Sequence, residues 1–508
     1  MPRFIRHISD SALQFLVNQV FGLGLFYVLS KALDKDQFGE LNWTLAVFMT
    51  AFGLLSAGLD QLTVRKIAAG DPPGRVFSLY RTHVVVTGIF FAALLLGGRF
   101  ICPGFFARHS LLLWIGIAKT GLFLSTPYKQ LAVGRERFAV LRRMSTVSSV
   151  VKGVTVLACF VLHLLTMPVL LGIFIIGDLA ELGLCRYLGK GLLTGRPPFR
   201  VDRKAWTALL RESLPQAGVM LFAAAMARFD WIFIGLYSSP ARLAEYSFAY
   251  KAFELSSLPL LVLAPLLVPA FTRLMGQDGT AGGVPDGSGG FGGSTGGGPG
   301  GAGFGGGLTG RMDDLLRLVR VEMILACGTA MLLNIVWSPL ADALTSGRYG
   351  AVNARTIFLL SGCLPLLYLN NFLWSVHFAK GRLKMIFRVF AFSFALNVGG
   401  DIWLIPLYGN EGAALAYLLS LGIQTALYLS QTGEAPLRWS WVTLMMAAAS
   451  AFFCGFLSCR LWTDVAARSA GALLFYLLIL TVTLQIRPED YRFFLGRRQP
   501  FKRTPRME

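Results

Sequence analysis

Segments of about 18–25 mostly apolar residues recur along nearly the whole chain, and this constrains the fold more than any single motif does. At about 1.5 Å of helix rise per residue, each is long enough to cross roughly 30 Å of hydrocarbon. There are fourteen candidates, at 11–33, 41–60, 78–97, 110–128, 139–163, 168–188, 214–237, 243–271, 314–337, 353–376, 385–405, 411–430, 439–458 and 467–486. Apolar residues make up 55% of the chain and charged residues only 15%, which excludes a soluble globular domain. The reading is an all-α polytopic membrane protein.

The net charge of +20 would point to nucleic acid in a soluble protein, but in a membrane protein it reports orientation. With a cytoplasmic N-terminus, the loops holding "RRM" (Arg142–Met144), "RPPFRVDRK" (Arg196–Lys204), "KGRLK" (Lys380–Lys384) and the tail "GRRQPFKRTPR" all face the cytoplasm. That set then carries roughly 34 Lys and Arg, against roughly 9 on the outer side. Both termini are thus expected in the cytoplasm of a cell whose cytoplasmic membrane holds the chain, and an even number of spans agrees.

"MPRFIRH" before an apolar segment imitates a signal peptide, but the apolar part is too long and no A-x-A-like site follows, so it reads as a retained first span. Of seven cysteines, only Cys102 and Cys459 come near the outer face; no metal spacing or disulfide framework is visible.

Two pairs of stretches resemble each other across the chain. "FGELNWTLAVF" (Phe38–Phe48) lines up with "LAEYSFAYKAF" (Leu243–Phe253), and "QLAVGRERF" (Gln130–Phe138) with "HFAKGRLKM" (His377–Met385). They recur six spans apart, which preserves orientation and predicts two parallel six-helix bundles related by an axis along the membrane normal. The expected lobes are 1–212 and 213–430, followed by unpaired accessory helices in 431–486 and a basic tail, 487–508. The displacement grows from 205 to 247 residues because of "GGFGGSTGGGPGGAGFGGG" and its flanks, 276–310. That stretch lacks periodicity and apolar surface, as expected of a flexible cytoplasmic linker. No Gly-Lys-Ser/Thr occurs in it and no Lys or Arg lies between Gln277 and Gly310, so a nucleotide phosphate loop is not expected.

Three ordered blocks carry a family resemblance: "FGLGLFYVLSKALDKDQFGELNWTLAVFMTAFGLLSAGLDQLTVRKIA", "SLPQAGVMLFAAAMARFDWIFIGLYSSPARLAEYSFAYKAFELSSLPLLVLAPLLVPAFTRL", and "LWSVHFAKGRLKMIFR" followed by "LIPLYGNEGAALAYLLS". Over about residues 10 to 430 the chain is similar to polysaccharide-repeat flippases of the Wzx (RfbX) type, in the multidrug/oligosaccharidyl-lipid/polysaccharide (MOP) exporter superfamily. The glycine-rich insert departs from that pattern. The resemblance implies a two-lobed, non-enzymatic transporter that alternates between inward-open and outward-open states. Its cargo would be a polyprenyl-pyrophosphate-linked oligosaccharide for cell-surface polysaccharide, with membrane lipids around it and a polymerase and glycosyltransferases as partners.

Site candidates come from the residues themselves. A charge at mid-bilayer costs roughly 2.5–3.5 kcal/mol, so each one marks a bundle interior or a watery cavity. Lys119, Lys152, Arg228 and Lys251 are the buried cations, suited to pyrophosphate and acidic sugars, or else paired with acids to hold helices together. Arg228 and Asp230 are two apart, about 200° around a helix, so they cannot share a partner face. Lys251 and Glu254, three apart, can neutralise each other. The acids Asp230, Asp178, Glu181, Glu254 and Glu322 are candidates for H⁺ or Na⁺ coupling or for counter-ions, while Asp60 and Asp401 sit nearer span ends. Pro215 would open the seventh span, and Pro259, Pro265 and Pro269 would break the eighth.

Three other functions compete. A multidrug exporter of the same superfamily would need a cavity of acids and aromatics, against which four buried cations argue. A polyprenyl-phosphate glycosyltransferase would use "DKD" (Asp34–Asp36) for a metal, but that loop is short and no large outer domain accompanies it. A non-transporting scaffold for a polysaccharide complex is the third.

Overall fold

The computed structural model describes residues 19–193, 203–260, 308–433 and 440–486. The glycine-rich insert from 276 to 307, the basic tail, Pro265 and Pro269 lie outside the described residues. Every regular element described is helical. Eleven helices are long and apolar enough to cross a membrane, and the other three predicted spans coincide with the apolar helix Gln19–Ala32 (α1), with Arg203–Tyr237 (α9) and with Pro240–Ser256 (α10). The chain is a multi-pass membrane protein.

Before α9 come α2 (Lys35–Leu55), α3 (Leu59–Ala68), α4 (Pro73–Ile101), α5 (Pro103–Arg108), α6 (Leu111–Gly134), α7 (Phe138–Val161) and α8 (Met167–Lys190). After α10 come α11 (Leu308–Thr345), α12 (Ala354–Ala379), α13 (Leu383–Tyr408), α14 (Asn410–Ser430), α15 (Ser440–Leu461) and α16 (Val465–Val482). The chain divides into two compact units: unit 1 comprises 1–248 with 394–416, unit 2 comprises 249–393 with 417–508.

Local chemistry explains the helix ends. Asp34 of "DKD" is the N-cap of α2, its side chain accepting the Gln37 N–H at 2.7 Å, and Asp36 places a negative charge in the first turn, where the helix dipole favours it. Capping therefore accounts for Asp34 and Asp36 without a metal. Asp464 caps α16 in the same way, through the Ala467 N–H.

Two expectations need correction. The second span is not continuous to residue 60: it stops at Leu55, and Ala57 and Gly58 take left-handed backbone angles (φ 49° and 70°) before α3 starts at Leu59. The His83 ring satisfies the carbonyl freed at Leu55, its Nε2 lying 2.7 Å away. Pro215 does not open the seventh span either. It lies within α9, which begins twelve residues earlier in an extension carrying Glu212. Hydrogen bonding from Lys66, joined by Arg65, holds the Glu212 carboxyl below its usual range and ties that extension to α3.

In lipid, helices associate through close packing and polar pairing rather than through a hydrophobic drive. Unit 1 shows both. Phe48, Phe52, Phe91 and Phe123 interlock, with Phe52 stacked on Phe123 at 4.6 Å. The start of α2 packs on the end of α9 and the start of α10: Trp43 Nε1 donates to the Ile232 carbonyl (3.2 Å), Lys35 pairs with Glu245 (2.7 Å), and Asn42 Nδ2 donates to Ser247 Oγ (3.2 Å). Asn42 and Ser247 are 205 residues apart, the displacement of the first repeat, so matching positions of the two repeated blocks touch each other. In unit 2, α11 packs on α12, α15 and α16, and Tyr476 Oη donates to the Ile324 carbonyl. The accessory helices are thus integral to that unit.

The tightest approach is at Gly39, where a Cβ would run into the Pro240 carbonyl. Gly39→Ala is expected to destabilise the protein by about 1–3 kcal/mol, read as a lower thermal midpoint in detergent. An unchanged midpoint would show that α2 and α10 do not pack so closely.

Candidate functional site

Helices α6, α7 and α8 of unit 1 gather Lys119, Lys152, Asp178 and Glu181. Lys119 Nζ lies 2.9 Å from Asp178 Oδ2, and Lys152 Nζ bonds the other oxygen, Oδ1. One turn further along α8, Glu181 pairs with Lys129. The i, i+3 spacing of Asp178 and Glu181 puts both acids on one face of α8, against which α6 and α7 pack. Lys119 also sits 5.3 Å from the Phe174 ring centre.

The exposures decide what this cluster presents. The Asp178 side chain is fully covered and Glu181 is 5% exposed, whereas Lys119, Lys152 and Lys129 keep 15%, 12% and 20%. Three ammonium groups meet two carboxylates, and the lysine side chains keep more exposure than the acids they pair with. The acids form the floor that makes burying the lysines tolerable.

On α9 the two charges have different neighbours, as their angular separation requires. The Arg228 guanidinium lies over the Trp231 ring at 4.5 Å. Asp230 is buried and accepts hydrogen bonds from Tyr246 Oη (2.6 Å) and from the Trp231 N–H (2.8 Å). Asp401 of α13, also in unit 1, is completely buried, so the expectation of a span-end position is corrected: α13 runs seven residues past it. Neither Asp401 oxygen has a hydrogen-bond partner among the described residues, and its carboxyl feels the charge of Asp230. The Asn397 amide, one turn earlier on α13, is buried, and its Nδ2 is also unbonded among the described residues.

The remaining candidates lie in unit 2. Lys251 and Glu254 neutralise each other at 2.6 Å across one turn of α10. Glu322 of α11 is 1% exposed, and its carboxyl has no hydrogen-bond partner among the described residues. Unit 2 also holds an apolar cavity of about 620 Å³, lined by α11, α12 and α15 through residues such as Met331, Phe358, Pro365, Ala448 and Phe456. The Asn334 amide and the Ser361 hydroxyl on its wall are bonded to each other at 2.5 Å.

Sequence reasoning missed Lys129, which falls one residue beyond the fourth predicted span; α6 continues to Gly134 and keeps it in the cluster. It also missed the partnership of Glu40 with His109, 69 residues away, for which no local spacing signals a contact. The seven cysteines are all free.

Because one aspartate serves two lysines, Asp178→Asn strands two ammonium groups, whereas Lys119→Gln or Lys152→Gln leaves one pair intact. Thermal melts are expected to show the larger loss for Asp178→Asn, about 3–5 kcal/mol. Equal losses in all three variants would rule out the shared carboxylate.

Comparison with known proteins agrees with this architecture. The family model described as "Polysaccharide biosynthesis protein" matches residues 6–275. The chain is similar in structure to the lipid II flippase MurJ in an inward closed conformation (TM-score 0.69, 12% identity, 96% of this chain and 100% of that one). It is similar to an inward-facing MATE-family multidrug resistance transporter of the MOP superfamily (TM-score 0.60, 12% identity, 87% and 99%). It is also similar to a point mutant of the Vibrio cholerae MATE transporter VcmN (TM-score 0.55, 14% identity, 89% and 98%). No curated protein matches the chain. With more than half its length matched by the family model, the chain belongs to the polysaccharide biosynthesis protein family, and its fold is shared with these structures.

Proposed function

We propose that the protein is a flippase that carries a polyprenyl-pyrophosphate-linked oligosaccharide from the cytoplasmic to the outer leaflet of the cytoplasmic membrane. Alternating access moves the cargo, both termini face the cytoplasm, and the linker, residues 276–310, and the tail lie on that side. The product feeds cell-surface polysaccharide assembly, with a polymerase and glycosyltransferases as partners. The observation that carries the reading is the lysine cluster of unit 1: three lysines paired with two covered carboxylates, leaving one positive charge in excess. Ammonium groups held this way offer point charges to a pyrophosphate. Arg228, its guanidinium plane set against Trp231, offers a fork for phosphate or an acidic sugar. The apolar cavity of unit 2 suits the hydrocarbon part of such a cargo.

Coupling to H⁺ or Na⁺ is assigned to Asp230 with Asp401. The Asp401 carboxyl is completely buried with neither oxygen hydrogen-bonded among the described residues, a coordination that a small ion would complete. Asp178, Glu181 and Glu254 act instead as counter-ions to the lysines they touch. A multidrug exporter would present its acids to a cationic cargo, whereas here Asp230 and Asp401 are covered.

Proteoliposomes loaded with labelled polyprenyl-pyrophosphate glycan test the proposal. Lys119→Gln, Lys152→Gln and Arg228→Gln are each expected to slow translocation about tenfold or more, the worth of one charge-assisted contact. Asp401→Asn is expected to remove the response to an imposed proton or Na⁺ gradient. Undiminished translocation in all three cation variants would overturn the site, and no translocation of any glycan by the native protein would overturn the function.

A further inference from the structure

The contact between the two repeated blocks has an asymmetry that the repeat itself does not require. Glu40 and Glu245 occupy matching positions, 205 residues apart, on either side of the Asn42 to Ser247 hydrogen bond. Glu245 is held by Lys35, at 2.7 Å. Glu40 is held by His109, whose Nδ1 stands 3.1 Å from each of its two carboxylate oxygens. The same imidazole stacks on the Trp43 ring at 4.1 Å, with the planes 25° apart. Trp43 in turn donates to the Ile232 carbonyl, and its ring fills the space over Gly235, where a Cβ would collide with it. One histidine thus connects a carboxylate to the aromatic side chain that fastens α2 to α9.

We propose that His109 and Glu40 form a proton-operated latch holding the N-terminal end of α2 against α9 and α10. With a proton on His109, the imidazolium has a carboxylate at its Nδ1 and the negative face of an indole against its own face, so both contacts strengthen. Without it, a neutral ring donates one ordinary hydrogen bond and the nearly covered Glu40 carboxylate loses its counter-charge. The latch is therefore tight with the proton on His109 and loosens when that proton leaves.

The charged groups around it are few among the described residues. Glu40 and Lys35 come from α2, Glu245 from α10, and exposed Arg108 from the end of α5; α9 presents a carbonyl and a glycine to Trp43. On the proposed topology this end of the bundle faces outward, so the proton comes from the outer solution. The inference rests on the transport reading above for its purpose, but not for its test.

The test places a reporter thiol at Ala244, which is wholly buried at the start of α10, in a Cys102→Ser/Cys459→Ser background. Reconstituted protein is labelled with a membrane-impermeant maleimide at about pH 5.5 and about pH 8, each rate being divided by that of the unfolded protein at the same pH. The normalised rate is expected to be about fivefold higher at the upper pH, the difference between a charge-assisted and a neutral hydrogen bond. His109→Gln and Glu40→Gln are each expected to remove the dependence, giving the fast rate at both values. Lys35→Gln should raise the rate at both values while keeping their ratio. Ser247→Cys is the second reporter should Ala244→Cys fail to insert. A ratio near one in the parent, or a parent-like ratio in His109→Gln, would overturn the latch. Because labelling needs no cargo, the latch is still tested if the glycan is not translocated.

Discussion

A carboxylate inside hydrocarbon is costly without a counter-charge, and in unit 1 that cost organises three helices around Asp178. One carboxylate accepts from lysines on two different helices, and the neighbouring acid on the same face of α8 takes a third. The result is more than charge balance. The acids are covered and the lysine side chains nearly so, and three lysines against two carboxylates leave the cluster with surplus positive charge. Replacing the cluster by apolar residues would remove the desolvation cost, as is often possible for buried ion pairs, but it would also erase that surplus. Charges retained at that cost mark a candidate functional site in a membrane protein.

Asp230 and Asp401 show the opposite solution. Two carboxyls share a covered region with tyrosine and asparagine side chains, and among the described residues no lysine bonds to Asp401. On the proposed coupling such a site takes up a proton or a small cation, and Asp230 lies on α9 two residues from the Ile232 carbonyl through which Trp43 fastens that helix to α2. Charge state and helix position are thereby placed on one element, which is the arrangement that lets ion binding bias a conformational equilibrium.

Much of the fold was legible in the sequence because bilayer thickness sets segment length, and the predicted spans coincide with helices along the described chain. The repeat was legible too, since "FGELNWTLAVF" and "LAEYSFAYKAF" keep their register well enough for Asn42 to meet Ser247. The break at Ala57 and Gly58 was not, because an apolar run hides a left-handed turn when a side chain elsewhere, here His83, satisfies the freed carbonyl. In the site, the candidate charges were recognisable by their cost, and Arg228 and Asp230 part ways as helix geometry demands. Pairing was beyond reach: Lys119 and Lys152 are 59 and 26 residues from Asp178, and only the packing of α6 and α7 on α8 brings them to one carboxyl.

The central claim is that the lysine cluster recognises the pyrophosphate of a lipid-linked glycan. The most direct measurement compares binding, in nanodiscs, of two lipids with the same glycan and polyprenyl chain, one joined by pyrophosphate and one by an uncharged ether. The account predicts that only the pyrophosphate lipid binds in a salt-sensitive way, and that Lys152→Gln weakens it about tenfold while leaving the ether lipid unaffected. Equal affinity for the two lipids, or an equal loss for both in Lys152→Gln, would contradict it.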